Sequence, residues 1–282
     1  EGTVSPSSMT FTNANWSAEQ TVTVTGVNDD IDDGDILYSI VTAAAASSDT
    51  DYSNLDAADV SVTNTDDDTA GITASAISGV TTEGATTATF TLVLNTQPTA
   101  DVVIGLTSSD TTEGTVSPSS MTFTNANWSA AQTVTVTGVN DDIDDGNIVY
   151  SIVTAAATST DTDYSTLNAA NVSVTNTDND TIGVTQSATS ATIGEAATGT
   201  YTVALNTQPT ADVTVTLTSN DTTAATVTSS LTFTTDNWSS AQTVTVTGVN
   251  DDNTTNESVA ISHSATSSDA DYNAVSIASV AV

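Results

Sequence analysis

Apolar and polar residues alternate with a period of two along most of this chain. Phe90, Leu92 and Leu94 alternate with Thr89, Thr91 and Val93, and Val102, Ile104 and Leu106 follow. Val134 and Val136 stand between Thr133, Thr135 and Thr137, and Val213, Val215 and Leu217 face Thr214, Thr216 and Thr218. Such alternation turns one face of a strand towards a core and leaves Thr on the other. Turn-forming stretches separate the runs: Asn-Thr-Gln-Pro, Ser-Ser-Asp, Asn-Asp-Asp and Asp-Gly. About seven short strands per ~110 residues, with no helical pattern of useful length, predict an all-β fold built of antiparallel two-sheet sandwiches.

The pattern also repeats on a larger scale. Glu1-Gly2-Thr3-Val4-Ser5-Pro6 returns as Glu113-Gly114-Thr115-Val116-Ser117-Pro118, and Asn-Trp-Ser occurs at Asn15, Asn127 and Asn237. Asn95-Thr96-Gln97-Pro98-Thr99 recurs as Asn206-Thr207-Gln208-Pro209-Thr210. A unit of this length is a domain, not a solenoid rung. With the boundary at the Thr-Asp-x-Asp stretch, repeat two is 70–181 and complete. Repeat one, 1–69, is expected to lack its opening strands, and repeat three, 182–282, its terminal Asp linker. The chain thus reads as a window on a longer array.

Charge narrows the functional classes. The 282 residues include 35 Asp and Glu and no Lys or Arg, for a net charge of −35. Nothing here can neutralise phosphates, so nucleic acid is excluded as a partner, and an anionic membrane surface is repelled. No apolar run is long enough for a membrane-spanning helix. Cys is absent, which removes disulfides and thiolate chemistry. A hydrophobic fraction of 37 % in ordered alternation argues for a folded chain rather than a disordered one. What such a surface attracts is cations.

Four motifs follow in order: Glu83-Gly84 before Phe90–Leu94, Pro98, Thr122-Phe123-Thr124 leading to Asn127-Trp128, and Gln132–Val139 running into Asn140-Asp141-Asp142. Together they resemble the Calx-beta and bacterial immunoglobulin-like tandem repeats of very large extracellular proteins. The resemblance implies calcium-dependent sandwiches strung along adhesins, biofilm proteins and surface layers. It further implies calcium held at one end of the sandwich by an early Glu and an Asp-Asp pair. These map onto Glu83, Asp141 and Asp142 in repeat two, and onto Asp29 and Asp30 in repeat one. In repeat three they map onto Asp251 and Asp252, where Glu195 is slipped by one place relative to Glu83.

The residues themselves point the same way. The loop Asn28-Asp29-Asp30-Ile31-Asp32-Asp33-Gly34, repeated as Asn140-Asp141-Asp142-Ile143-Asp144-Asp145-Gly146, crowds carboxylates that repel one another in water. A hard Ca²⁺ ion, which takes six to eight oxygen ligands, relieves that conflict; Mg²⁺ demands stricter geometry. A solvated acidic turn is the competing reading. Repeat three keeps the first Asp pair but loses the second and the Gly, with Glu257 as a replacement carboxylate, so it is expected to bind calcium more weakly. Asp66 and Asp68, with Asp178 and Asp180, form a second candidate between repeats, together with Asp49/Asp51 and Asp161/Asp163. A cation there would fix the inter-repeat angle; a flexible polar linker is the alternative.

Trp16, Trp128 and Trp238 either offer a carbohydrate-stacking platform or cap the ends of cores poor in other aromatics, the latter being preferred. His263 occurs in one repeat only, which suits no general base. A catalytic carboxylate pair copied in every bead of an array is implausible, so no enzyme is expected. The reading is a structural region of a secreted or cell-surface bacterial protein: a calcium-stiffened adhesin stalk or filament. Its partners would be neighbouring repeats and other copies of itself. Glycan- or surface-binding through the Thr faces, and a surface-layer subunit, are the alternatives. Uninterrupted Thr arrays on one sheet would favour the former, and Val93, Val103 and Gly105 count against it.

Overall fold

A computed structural model describes residues 1–251 and 254–282. Every regular element in it is a strand. Repeat two closes into a sandwich of four strands on five. The first sheet runs Ile72–Ala74, Thr87–Leu94, Gln132–Gly138, Gly114–Ser117, all antiparallel. The second runs Ser120–Phe123, Val102–Ser108, Ile148–Thr154, Val172–Thr177, with Thr81–Thr82 pairing parallel on its far edge. The predicted inward positions Phe90, Leu92, Ile104, Leu106, Val134 and Val136 are all buried in one core between the sheets, joined there by Phe123. Repeat three repeats the plan with four strands on four and a separate core around Val203, Val215, Phe233 and Ile261.

Each sandwich is fastened across its sheets by one tyrosine. Tyr164 is buried and donates to the Thr96 carbonyl at 2.8 Å, while the Thr96 N–H donates back to its hydroxyl at 3.0 Å. Tyr272 does the same with Thr207. Beside it, Asp161 accepts the Thr99 N–H at 2.7 Å, and Asp269 accepts that of Thr210. Burial alone would raise both carboxyls, but these N–H bonds outweigh it and hold them below the ordinary Asp value. Asp161 therefore staples a turn of its own repeat.

The outward face of the first sheet is a ladder of threonines. Thr91, Thr89 and Thr87 stand directly opposite Thr133, Thr135 and Thr137, and repeat three pairs Thr202, Thr200 and Thr198 with Thr243, Thr245 and Thr247. Such directly opposed Thr pairs stabilise a sheet modestly. Val93 falls at the end of the ladder opposite Thr73, and Val103 and Gly105 belong to the other sheet.

Repeat one keeps the pairings it has residues for. Gly2–Ser5 pairs with Thr23–Gly26, and Ile36–Ile40 with Val60–Asn64, in the registers of their repeat-two counterparts. Each of these sheets has two strands only, and none of their side chains joins either buried core.

Candidate metal centres

The acidic residues gather where repeat two meets repeat three. Two groups of three carboxylates form there, each with its oxygens within 4.8 Å of one another: Glu83, Asp178 and Asp180 in one, Glu113, Asp141 and Asp145 in the other. The backbone builds both. Gly146 adopts φ 77°, a conformation open to Gly at little cost, and donates its N–H to Asp178 at 2.7 Å. Asp178 also accepts the Asp180 N–H, and Asp141 the N–H of Ile143 at 2.8 Å. These bonds aim carboxylates inward before any ion arrives.

Burial and crowding set the electrostatics. Glu83 is 3 % exposed and accepts two bonds from Asn179 at 3.0 Å. Its pKa is nonetheless pushed up to about 7, by burial first and then by Asp178, Asp141 and Asp180. Glu113 is raised by burial and by Asp145 and Asp141, although Asn176 donates to it at 3.3 Å. Burial and the neighbouring carboxylates raise Asp145 and Asp180 as well. Asp141 thus acts on both groups. A group of one buried Glu and two more accessible Asp, crowded enough to hold protons against mutual repulsion and lined by hard oxygen donors, fits Ca²⁺.

The resemblance paired Glu83 with Asp141 and Asp142; the structure places Glu83 with Asp178 and Asp180 instead. Asp142 and Asp144 lie outside both groups and reach the next repeat. The Asp142 carbonyl accepts the Gln208 N–H at 2.6 Å, and the Asp144 carboxylate accepts the Ile182 N–H at 2.8 Å. The junction before repeat two is identical: Asp30 accepts from Gln97 at 2.6 Å, and Asp32 from Ala70 at 2.8 Å. One loop therefore carries both an acidic site and a grip on its neighbour.

In repeat one Glu1, Asp29, Asp33, Asp66 and Asp68 line an open cleft of about 290 Å³. Burial and the neighbouring acids raise Asp33 and Asp68, whereas N–H bonds from Asp68 and Gly34 lower Asp66. In repeat three Glu195, Asp251 and Glu257 border a larger hollow of about 420 Å³ beside Ala224. Asp252 lies outside the described residues. Ala85 and Ala196 hold the same turn, at φ 59° and 58°, which puts Gly194 in the place of Glu83 and leaves Glu195 exposed.

Glu113 is the ligand candidate that the sequence reading does not single out. Its signal was an acid opening a repeated strand as Glu1 and Glu113 and replaced by Ala224 in repeat three. Trp128 and Trp238 pack against the cores, while Trp16 is exposed. No stacking platform common to the three repeats results.

No protein-family model matches this chain, and no curated protein matches it. Among solved structures it is similar to the calcium-binding domains CBD12 of CALX1.1, at 14 % identity and a TM-score of 0.33 over 68 % of this chain and 79 % of that one. CBD12 of CALX1.2 follows at 11 % and 0.32 over 71 % and 82 %, and domains 4 and 5 of the S-layer protein SbsC at 17 % and 0.30 over 64 % and 73 %. The architecture, as its own strand pairings show, is a tandem of β-sandwich repeats. Similarity this remote leaves function to be read from the chain's own residues.

Proposed function

We propose that this chain is a calcium-stiffened, non-enzymatic repeat region of an extracellular or cell-surface protein, of Calx-beta type, serving as a stalk or filament. The observation that carries the reading is the loop Asp141–Asp145. Asp141 and Asp145 belong to a carboxylate group with Glu113, while Asp142 and Asp144 hold repeat three. Glu113, Asp141 and Asp145, and separately Glu83, Asp178 and Asp180, would hold the ions. A dication there supplies charge neutralisation, which fixes the loop and with it the angle between beads. An unloaded loop repels itself and slackens the junction. Small-angle scattering of the chain in millimolar calcium and in chelator at matched ionic strength tests this. A shorter maximum dimension in chelator is expected; superimposable profiles would remove calcium from the account.

The Thr ladder favours a second reading, a module that lies flat on a neutral surface. Among the described residues no carboxylate interrupts the paired positions Thr87–Thr91 and Thr133–Thr137, although the chain carries 35 acids. Cosedimentation with insoluble polysaccharide, compared with a Thr89→Glu/Thr135→Glu variant, tests it. Equal retention of both proteins would eliminate the ladder as a binding face.

A further inference from the structure

The acidic loops of repeats one and two contain Asp33-Gly34 and Asp145-Gly146, the two Asp-Gly pairs of the chain. All four residues are exposed, and a Cβ added at either glycine would meet nothing within 4 Å. Each Gly nitrogen thus has no side chain of its own, and no packed neighbour, to keep it from the aspartate side chain that precedes it. The fold nevertheless restrains both pairs. Gly146 donates its N–H to Asp178 at 2.7 Å, and the Asp178 N–H donates to the Asn147 side chain at 3.0 Å. Gly34 and Asp66 form the same reciprocal clasp, with Asp35 in the place of Asn147. Each glycine reaches a carboxylate 32 positions away, so only the folded loop supplies the clasp. A carboxylate on the N–H also resists loss of that proton, because one negative charge opposes a second beside it.

We infer that Asp33-Gly34 and Asp145-Gly146 are sites of spontaneous succinimide and isoaspartate formation, and that Asp66 and Asp178 are the groups that restrain it. The Gly146 nitrogen bonds to the side-chain carboxyl carbon of Asp145, and its proton leaves with a carboxyl O–H as water. That closes a succinimide ring. Water then opens the ring at either carbonyl. Attack at the side-chain carbonyl restores aspartate; attack at the main-chain carbonyl leaves the chain running through the side chain, as isoaspartate. One water is lost and one regained, so nothing beyond solvent is consumed. The product inserts an extra carbon into the backbone beside Asp144, which holds Ile182, and takes the Asp145 carboxylate out of its group with Glu113 and Asp141. Repeat three reads Asn250-Asp251-Asp252-Asn253-Thr254-Thr255-Asn256-Glu257 in this region, without an Asp-Gly pair, and is the internal reference.

The test keeps the full chain near neutral pH at body temperature for weeks, in chelator, beside a peptide of residues 140–147. Isoaspartate is located by enzymatic methylation of its new carboxyl and by electron-transfer fragmentation of chymotryptic peptides. It is expected at 33 and 145 and not at 250–257. Conversion should be roughly tenfold slower in the chain than in the peptide, the share withheld by a hydrogen bond to a charged acceptor. In Asp178→Ala the rate at 145 should rise towards that of the peptide, while the rate at 33 stays at the parent value. Asp178→Asn, which keeps an oxygen acceptor but not its charge, should fall between the two and guards against a fold lost in Asp178→Ala. An Asp178→Ala chain without isoaspartate at 145 after the peptide has converted overturns the inference. So does a parent chain that converts as fast as the peptide, or one whose other Asp bonds convert equally. The measurement is made without calcium, so the proposed function stands or falls separately.

Discussion

Repeats two and three share a core plan but differ at the end where repeat two carries its acids. In repeat two, Glu113 meets Asn176, Asn176 accepts from Thr81 at 3.0 Å, and the Thr81 hydroxyl lies 3.3 Å from that of Tyr150. In repeat three the places of Glu113, Gly114 and Tyr150 are taken by Ala224, Ala225 and Val259. Gly114 is required because an added Cβ would run into the Tyr150 hydroxyl. Once the tyrosine is gone, Ala is accommodated and buried. The acid, the tyrosine and the glycine have therefore been exchanged together. A buried acid left without its partners costs more than an apolar replacement, so Glu113 and Tyr150 give way together to Ala224 and Val259, although Thr81 keeps a threonine, Thr192, in its place.

The largest expected effect comes from mixing the two solutions. Gly114→Ala in repeat two should cost about 1–3 kcal/mol by overpacking. It should lower the calorimetric transition of that repeat by roughly 5–15 °C. Adding Tyr150→Val, which recreates the pair of repeat three, should recover most of the loss. A single variant as stable as the parent would mean that the glycine is not held by the tyrosine.

Calcium should separate the repeats next. A site in tenfold excess of ligand over Kd contributes on the order of 1.4 kcal/mol, so chelation should lower the repeat-two transition more than that of repeat three. Asp141→Ala, which disturbs both acidic groups, should reduce the calcium bound per chain in calorimetric titration. Asp144→Ala should leave the stoichiometry intact and instead speed amide exchange at Ile182. Equal loss of calcium in both variants would dissolve the division of labour within the loop.

The pH dependence sharpens the contrast. The Glu83 carboxyl is raised to about 7 from an ordinary 4.5. Its contribution to the calcium-free fold is therefore fully present below 4.5 and lost as pH rises through 7. Without calcium, repeat two should lose stability between pH 5 and 8. Calcium binding near neutral pH should release protons, seen as a buffer-dependent binding enthalpy. Glu83→Gln should weaken both effects, leaving the part due to Glu113, Asp145 and Asp180, whose carboxyls are raised as well. A flat calcium-free melting profile in the parent would contradict the buried position of this acid.

Most of the fold was legible because alternation and turn residues act locally. Phe90 to Leu94 and Val213 to Leu217 announce both their strands and their inward faces. The Asp-rich loop was legible as a candidate cation site by charge density alone, and Asp141 and Asp145 do fall in a group of three carboxylates. Its division was not, since nothing local says that the Asp142 carbonyl and the Asp144 carboxylate bond to the next repeat while Asp145 groups with Glu113. Glu113 escaped notice for the same reason: it is a lone acid in sequence, and the sheet carries it to Asp141 from 28 positions away. The Thr ladder was likewise hidden, because its regularity is a matter of register between strands. Val103 and Gly105 interrupt a sheet that the ladder does not use.

The smallest effect should come from the one histidine, and it belongs to repeat three alone. His263 accepts from or donates to the Tyr201 hydroxyl at 2.8 Å across the two sheets, and the Gln186 side chain lies 3.4 Å away. Its other ring nitrogen, Nδ1, is buried without a hydrogen bond of good geometry. Burial lowers its pKa from 6.5, with the Ala278 carbonyl partly opposing, and no carboxylate acts on it. A proton would have to be taken into the sandwich without a counter-charge, so the unfolded state binds protons more readily. The sign follows: repeat three should lose stability as pH falls through 6.5, the opposite of calcium-free repeat two above pH 5. Repeat two carries Thr154 at this place and Phe90 at that of Tyr201. His263→Thr in the full chain should therefore flatten the acid limb of the repeat-three transition and leave that of repeat two unchanged. An acid limb that survives the substitution would assign the effect to the general carboxylate titration.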